Sequence, residues 1–249
     1  MFKFFKNLLG REGLALLLAF VFAYALPLQA QDPLQSVPET DPDRVKKVFE
    51  ACVQCHGPGG VSNLPSRPTI AGQKGDYVAR QLTAFVQAAK EYRTDSDQDA
   101  DDGPLKDPQA QGRIRSDPIM EHMVEGLDAS TIVKIAAVVS KLPCRTDEAV
   151  IKSPPPTPPS ITHECALCHG EDGVGDRFDT PNLAGQQRAY LRRELLLIRE
   201  SAWGATPREG ETSRKHPIME SQVARLKIQD VDAVAQYYSE LDCRGNNPK

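Results

Sequence analysis

The chain has 249 residues, with 30 Lys and Arg against 34 Asp and Glu, a net charge of −4, and 17 Gly, 20 Pro and 6 Cys. That length suits two domains of ordinary size, and the acidic balance argues against nucleic acid as a partner. Six cysteines in an exported chain demand an explanation of their own.

Export is written at the start. Lys3, Lys6 and Arg11 precede an apolar run from Leu14 to Leu28, followed by Gln29-Ala30 before Gln31. This is the pattern of a secretory signal spanning 1–30 and cut after Ala30; the run is short for a bilayer span of ~20 residues, so a retained anchor is the lesser alternative. Without residues 1–30 the chain holds 27 basic and 33 acidic side chains, a net charge of −6. The mature protein is then an acidic, exported one.

Asp41 as a cap and Pro42 at the first turn open a predicted helix with Val45, Val48, Phe49 and Cys52 on one face. It ends in Cys52-Val53-Gln54-Cys55-His56-Gly57. A second amphipathic helix follows Tyr77, with Val78, Leu82, Phe85, Val86 and Ala89 at helical spacing. The acidic run 94–104 then reads as a solvated surface loop. Ile132, Ile135, Val138, Val139 and Leu142 mark a helix that closes this half, and the five prolines within 148–160 make a linker.

The second half repeats the first. An offset of 113 residues carries Cys52, Cys55 and His56 onto Cys165, Cys168 and His169, Pro68 onto Pro181, Ala71-Gly72-Gln73 onto Ala184-Gly185-Gln186, and Tyr77 onto Tyr190. Beyond an insertion of 14 residues the offset becomes 99, which maps Met120 onto Met219 and Cys144 onto Cys243. Leu191, Leu195 and Ile198 form the helical face after Tyr190; Val231, Val234, Tyr238 and Leu241 form that of the closing helix. No alternating run suggests a strand, so both halves read as all-α, with domains at 41–147 and 161–245.

On a helix, residues i, i+3 and i+4 share a face, so each Cys-x-x-Cys-His set converges. Two thiols beside an imidazole suit covalent attachment of a c-type haem through its two vinyl groups, with the histidine on iron. A zinc ribbon would need its cysteine pairs ~15 to 20 residues apart, and a thioredoxin-like pair would need a βαβ setting, so both fit poorly. A disulfide within the motif would leave the histidine without a purpose. The glycine after each histidine leaves room for the edge of a ring.

A second axial ligand has to reach the opposite haem face. Met120 and Met219 stand in the shared context Pro-Ile-Met-Glu and are the expected ligands, a soft thioether being suited to an electron-transfer potential. Met123 and His122 are the local rivals in the first half, and His216 in the second; these and His163 read as surface or supporting residues. Pro68 and Pro181, each 12 residues after its histidine, offer carbonyls to the remaining ring N–H.

The order CxxCHG, Pro-x-x-Ala-Gly-Gln, a Tyr-led helix, Pro-Ile-Met and a closing helix, twice over residues 41–243, resembles the di-haem class I cytochromes c of the cytochrome c4 type. The resemblance implies two class I domains in tandem about a pseudo-two-fold axis, two covalently bound haem c groups, His56/Met120 and His169/Met219 ligation, and a periplasmic location. It implies a carrier rather than an enzyme, moving electrons from a quinol-oxidising bc complex or a dehydrogenase to a terminal oxidase or reductase, with peripheral membrane association left open. Two alternatives stand beside it: a haem enzyme of the thiosulfate dehydrogenase or peroxidase type, and the cytochrome subunit of a flavin-containing sulfide dehydrogenase.

Cys144 and Cys243 belong to no haem motif. In an oxidising compartment two leftover cysteines at equivalent positions are expected to pair across the domains, while free thiols, intermolecular bonds and a reactive thiol stay open.

Overall fold

The computed structural model describes residues 41–94, 114–144, 155–206 and 211–243. The signal sequence, nearly all of the acidic run 94–104 and the greater part of the proline-rich linker lie outside the described residues. Those described fall in one compact unit spanning Glu39–Lys249.

Each half is a short helical bundle. In the first, α1 (Pro42–His56) begins as its sequence dictates: the Asp41 carboxylate accepts from the Asp43 N–H at 2.9 Å, and Pro42 takes a first-turn position where no N–H is needed. A 3₁₀ turn (Pro58–Gly60) leads to α2 (Gly75–Thr94), then β1 (Ile114–Ser116), α3 (Pro118–Met123) and α4 (Ala129–Lys141). The second half gives α5 (Thr162–His169), α6 (Arg188–Ala202), β2 (Ser213–Lys215), α7 (Pro217–Val223) and α8 (Ile228–Glu240). The architecture is all-α in outline, as the apolar spacing indicates.

The predicted apolar faces build the cores. Val45, Ile135 and Val139 pack together with Val48, Phe49 and Leu82 at their margin, and Phe85, Val86 and Ile132 join Val124. In the second half Leu191, Val234, Tyr238 and Leu241 form one cluster, and Ile198 and Val231 another with Val223 and Leu226. One expectation is corrected: Val138 is 36% exposed, because the face of α4 that packs is carried by Ile132, Ile135, Ala136 and Val139 and leaves the next position outside.

Two strands were not expected. β1 and β2 pair antiparallel, Ile114 with Lys215, Arg115 with Arg214 and Ser116 with Ser213. Arg115 and Arg214 are themselves equivalents under the 99-residue offset, so the pseudo-two-fold axis passes between them. Three residues are too few to show a period of two, and the partner lies about a hundred residues away in sequence; neither fact leaves a local trace.

The glycine after each histidine also has a backbone reason. Gly57 and Gly170 end α1 and α5 at φ of 82° and 77°, the left-handed region, and a Cβ on Gly57 would stand 2.1 Å from the Val61 carbonyl oxygen.

Candidate haem sites and the interface between them

A continuous cavity runs through both halves. Cys52, Cys55, His56 and Met120 line it in the first half, and Cys165, Cys168, His169 and Met219 in the second. The helices deliver these side chains as their spacing requires: each cysteine pair lies on the last turns of α1 or α5, and each methionine is carried on a short helix, α3 or α7. Among the described residues no three or more His, Cys, Asp or Glu side chains cluster as they would around a bare metal ion.

His56 and His169 are buried, 8% and 5% exposed. Their Nδ1 atoms lie 2.8 Å from the Pro68 carbonyl and 3.0 Å from the Pro181 carbonyl, so Nδ1–H donates and Nε2 of the neutral ring is left as a free base. Burial pushes both imidazole pKa values down; the proline carbonyls oppose this, and Arg67 and Lys74 reinforce it. A neutral ring is the form that can ligate iron. Burial likewise pushes the thiols of Cys52 and Cys165 up.

Of the rival side chains, Met123 and His216 also line the cavity, whereas His122 and His163 do not. His122 is 83% exposed at its side chain and faces Glu125, and His163 is on the surface. Met123 borders the cavity but is 40% exposed, against the half-buried Met120. His216 caps α7, its Nδ1 accepting from the Met219 N–H at 3.4 Å. Its counterpart Asp117 does the same for α3, taking the Ile119 and Met120 N–H groups at 3.1 and 3.2 Å.

Between the two halves lies a buried polar network. Arg115 bonds the Tyr190 hydroxyl at 3.0 Å, and Arg214 bonds the Tyr77 hydroxyl at 3.1 Å, a reciprocal exchange across the pseudo-two-fold axis. Arg115 also pairs with Glu194, while Arg214 meets Gln81, the equivalent of Glu194, at 3.1 Å. Symmetry breaks there, because Arg214 reaches Glu194 as well, at 3.0 Å. Burial works against the charge of Arg115, but the Glu194 carboxylate together with the Tyr190 and Tyr77 hydroxyls outweighs it, and its pKa stands above the ordinary arginine value; burial pushes the Tyr77 hydroxyl up to about 12 and that of Tyr190 higher still.

This network fits a haem. The Nε atoms of Arg115, Arg193 and Arg214 are buried on the cavity wall without a hydrogen-bond partner among the described residues, and buried donors of that kind are rarely left unmet. The carboxylates on a haem edge are acceptors of the right charge. With apolar walls from Leu82, Phe85, Leu195 and Ile198, paired thiols and a neutral imidazole, the donor set is that of a c-type haem in each half.

More bonds cross the same interface. Gln73 and Gln186 each clamp the backbone of one residue in the other half: Gln73 bonds both the N–H and the C=O of Asn182, at 2.9 and 3.0 Å, and Gln186 both those of Thr69, at 2.8 Å each. Lys74 donates to the carbonyls of Gly175 and Arg177, and its equivalent Gln187 to that of Ser62. Cys144 and Cys243 are joined by a disulfide, with Cα atoms 6.2 Å apart. Each sulfur-bearing Cβ lies against its own half's glycine, Gly72 or Gly185, where an added Cβ would come within 2.9 Å. Arg115, Arg214, Gln81 and Glu194 escaped the sequence reading. An available signal was the arginine standing five residues before each expected methionine ligand.

The fold and the paired sites define a di-haem electron-transfer protein. The family model for cytochrome c matches residues 42–129 and 160–242, one match per half, and the chain belongs to the cytochrome c family. Within it the chain is similar to cytochrome c4 of Stutzerimonas stutzeri, at 27% identity over 192 residues covering 76% of this chain and 84% of that protein. It is also similar to the thiosulfate dehydrogenase electron acceptor of Thiomonas intermedia (strain K12), 25% identical over 203 residues, 75% of this chain and 76% of that one. The crystal structure of reduced recombinant cytochrome c4 from Pseudomonas stutzeri superposes with a TM-score of 0.55 at 25% identity, covering 81% of this chain and 99% of the other. Two domains of this family imply two covalently bound haem c groups, whose irons alternate between ferrous and ferric. Among the described residues no helix is long and apolar enough to cross a membrane.

Proposed function

We propose that this protein is a periplasmic di-haem carrier of the cytochrome c4 type, with Cys52, Cys55, Cys165 and Cys168 as the covalent attachments, His56 and Met120 as axial ligands of one iron, and His169 and Met219 of the other. The observation that carries this reading is the duplicated arrangement on one cavity: a cysteine pair, a neutral histidine oriented by a proline carbonyl, and a methionine on its own short helix, once in each half. Two protein ligands on each iron leave no position for substrate, which favours carrier over enzyme. The chain's part is to hold the ligands fixed, so that little has to move when an electron arrives.

The donor is a dehydrogenase or a quinol-oxidising bc complex, and the acceptor a terminal oxidase or reductase. Similarity to two thiosulfate dehydrogenase electron acceptors supports the dehydrogenase as donor. Mixing the oxidised protein with a purified thiosulfate dehydrogenase and thiosulfate tests this: rapid reduction of both haems is expected, and reduction no faster than without the enzyme would contradict that donor. Carbon monoxide separates carrier from enzyme, since tight binding to the reduced protein requires an open iron.

A further inference from the structure

We propose that Gln186 and Gln73 are positioning residues that act across the interface on the opposite domain's axial histidine. The inference rests on the ligation by His56 and His169 proposed above. The Pro68 carbonyl that accepts from His56 Nδ1, at 2.8 Å, belongs to the peptide group whose N–H, on Thr69, donates to Gln186 Oε1, also at 2.8 Å. The same chain runs the other way. The Pro181 carbonyl accepts from His169 at 3.0 Å, and the N–H of that peptide, on Asn182, donates to Gln73 Oε1 at 2.9 Å. Each histidine is therefore two hydrogen bonds and one amide away from a side chain of the other half.

Hydrogen bonds in series through one amide polarise each other: an acceptor on the N–H makes the C=O a stronger acceptor. A stronger acceptor draws the Nδ1 proton, gives the imidazole more imidazolate character and makes Nε2 a better donor to iron. A better donor favours the ferric state, so the link holds the potential down. Both glutamines are more than nine-tenths buried, 9% exposed for Gln73 and 8% for Gln186, which keeps these bonds away from bulk solvent. Each domain's potential thus depends on its being docked to the other.

The test is a redox titration of the holoprotein followed by NMR, using the shifted methyl signals of the two ligand methionines to read each domain separately. Gln186→Leu is expected to raise the midpoint of the first domain alone, and Gln73→Leu that of the second alone. Gln187→Leu is the control, since it removes a cross-interface bond, to the Ser62 carbonyl, but touches neither histidine-bearing peptide; both midpoints should stay where they are. Should a Leu variant not fold, Asn at the same position, too short to reach the peptide, is expected to shift the same midpoint upward. Unchanged midpoints, or all three variants shifting both domains alike, would overturn the proposal. Loss of the His/Met signature already in the wild-type protein would instead overturn the ligation on which it rests.

Discussion

Met120 and Met219 carry the most specific single-residue claim. A thioether favours the ferrous state, and without it the iron gains an open position. Met219→Ala is expected to halve the weak charge-transfer absorption of methionine-ligated ferric haem and to add one carbon monoxide site per reduced chain, with Met120→Ala doing the same in the other domain. A band no weaker than the wild-type one would point to Met123 as the ligand in the case of Met120→Ala, and to a group other than methionine, such as His216, in the case of Met219→Ala. The two sites are not copies at this scale: a carboxylate, Asp117, caps the helix of Met120, while an imidazole, His216, caps that of Met219. Equivalent positions have kept the capping task and changed the chemistry.

At the scale of the element, the helix ends and apolar faces account for the folding of each half. Asp128 caps α4 through the Thr131 N–H at 2.7 Å, and that bond, with smaller help from Arg44, holds its carboxyl below the usual range. Asp128→Ala is expected to cost about 1 kcal/mol in chemical denaturation at neutral pH. Because the folded pKa is lowered, the cap's contribution is complete above the unfolded aspartate value and disappears as pH falls through the folded one, so wild type and variant should converge in acid. An unchanged difference there would point to packing instead. The long helices were legible because their apolar periods and caps are local, as with Asp41 and Val45 in α1. So were the cysteines, histidines and methionines, through their repeated spacing. β1, β2 and the Arg115–Glu194–Arg214 network were not, because their meaning arises only when two segments far apart in sequence meet. Gln73 and Gln186 were visible as repeats, yet nothing in either half alone says that each glutamine serves the other.

For the molecule as a whole, the interface makes one device of two domains. Glu194 answers three arginines, Arg115, Arg193 and Arg214, so Glu194→Leu should destabilise the protein by about 3 kcal/mol, whereas Gln81→Leu, which strands no charge, should cost about 1 kcal/mol. Comparable losses in a denaturant series would mean that the ion network is not held as described. The disulfide closes a separation of 99 residues, and the double variant Cys144→Ser, Cys243→Ser is expected to lose about 3 kcal/mol by the same measurement. No loss would mean that the hydrogen bonds of the interface already restrict the chain as tightly. The central claim, two covalently held His/Met haems in one electron carrier, is tested most directly by a spectroelectrochemical titration of the purified protein. Two one-electron waves, with low-spin spectra and the methionine charge-transfer band in both, are the expected result. A single wave of one electron per chain, or a high-spin component at either haem, would contradict it.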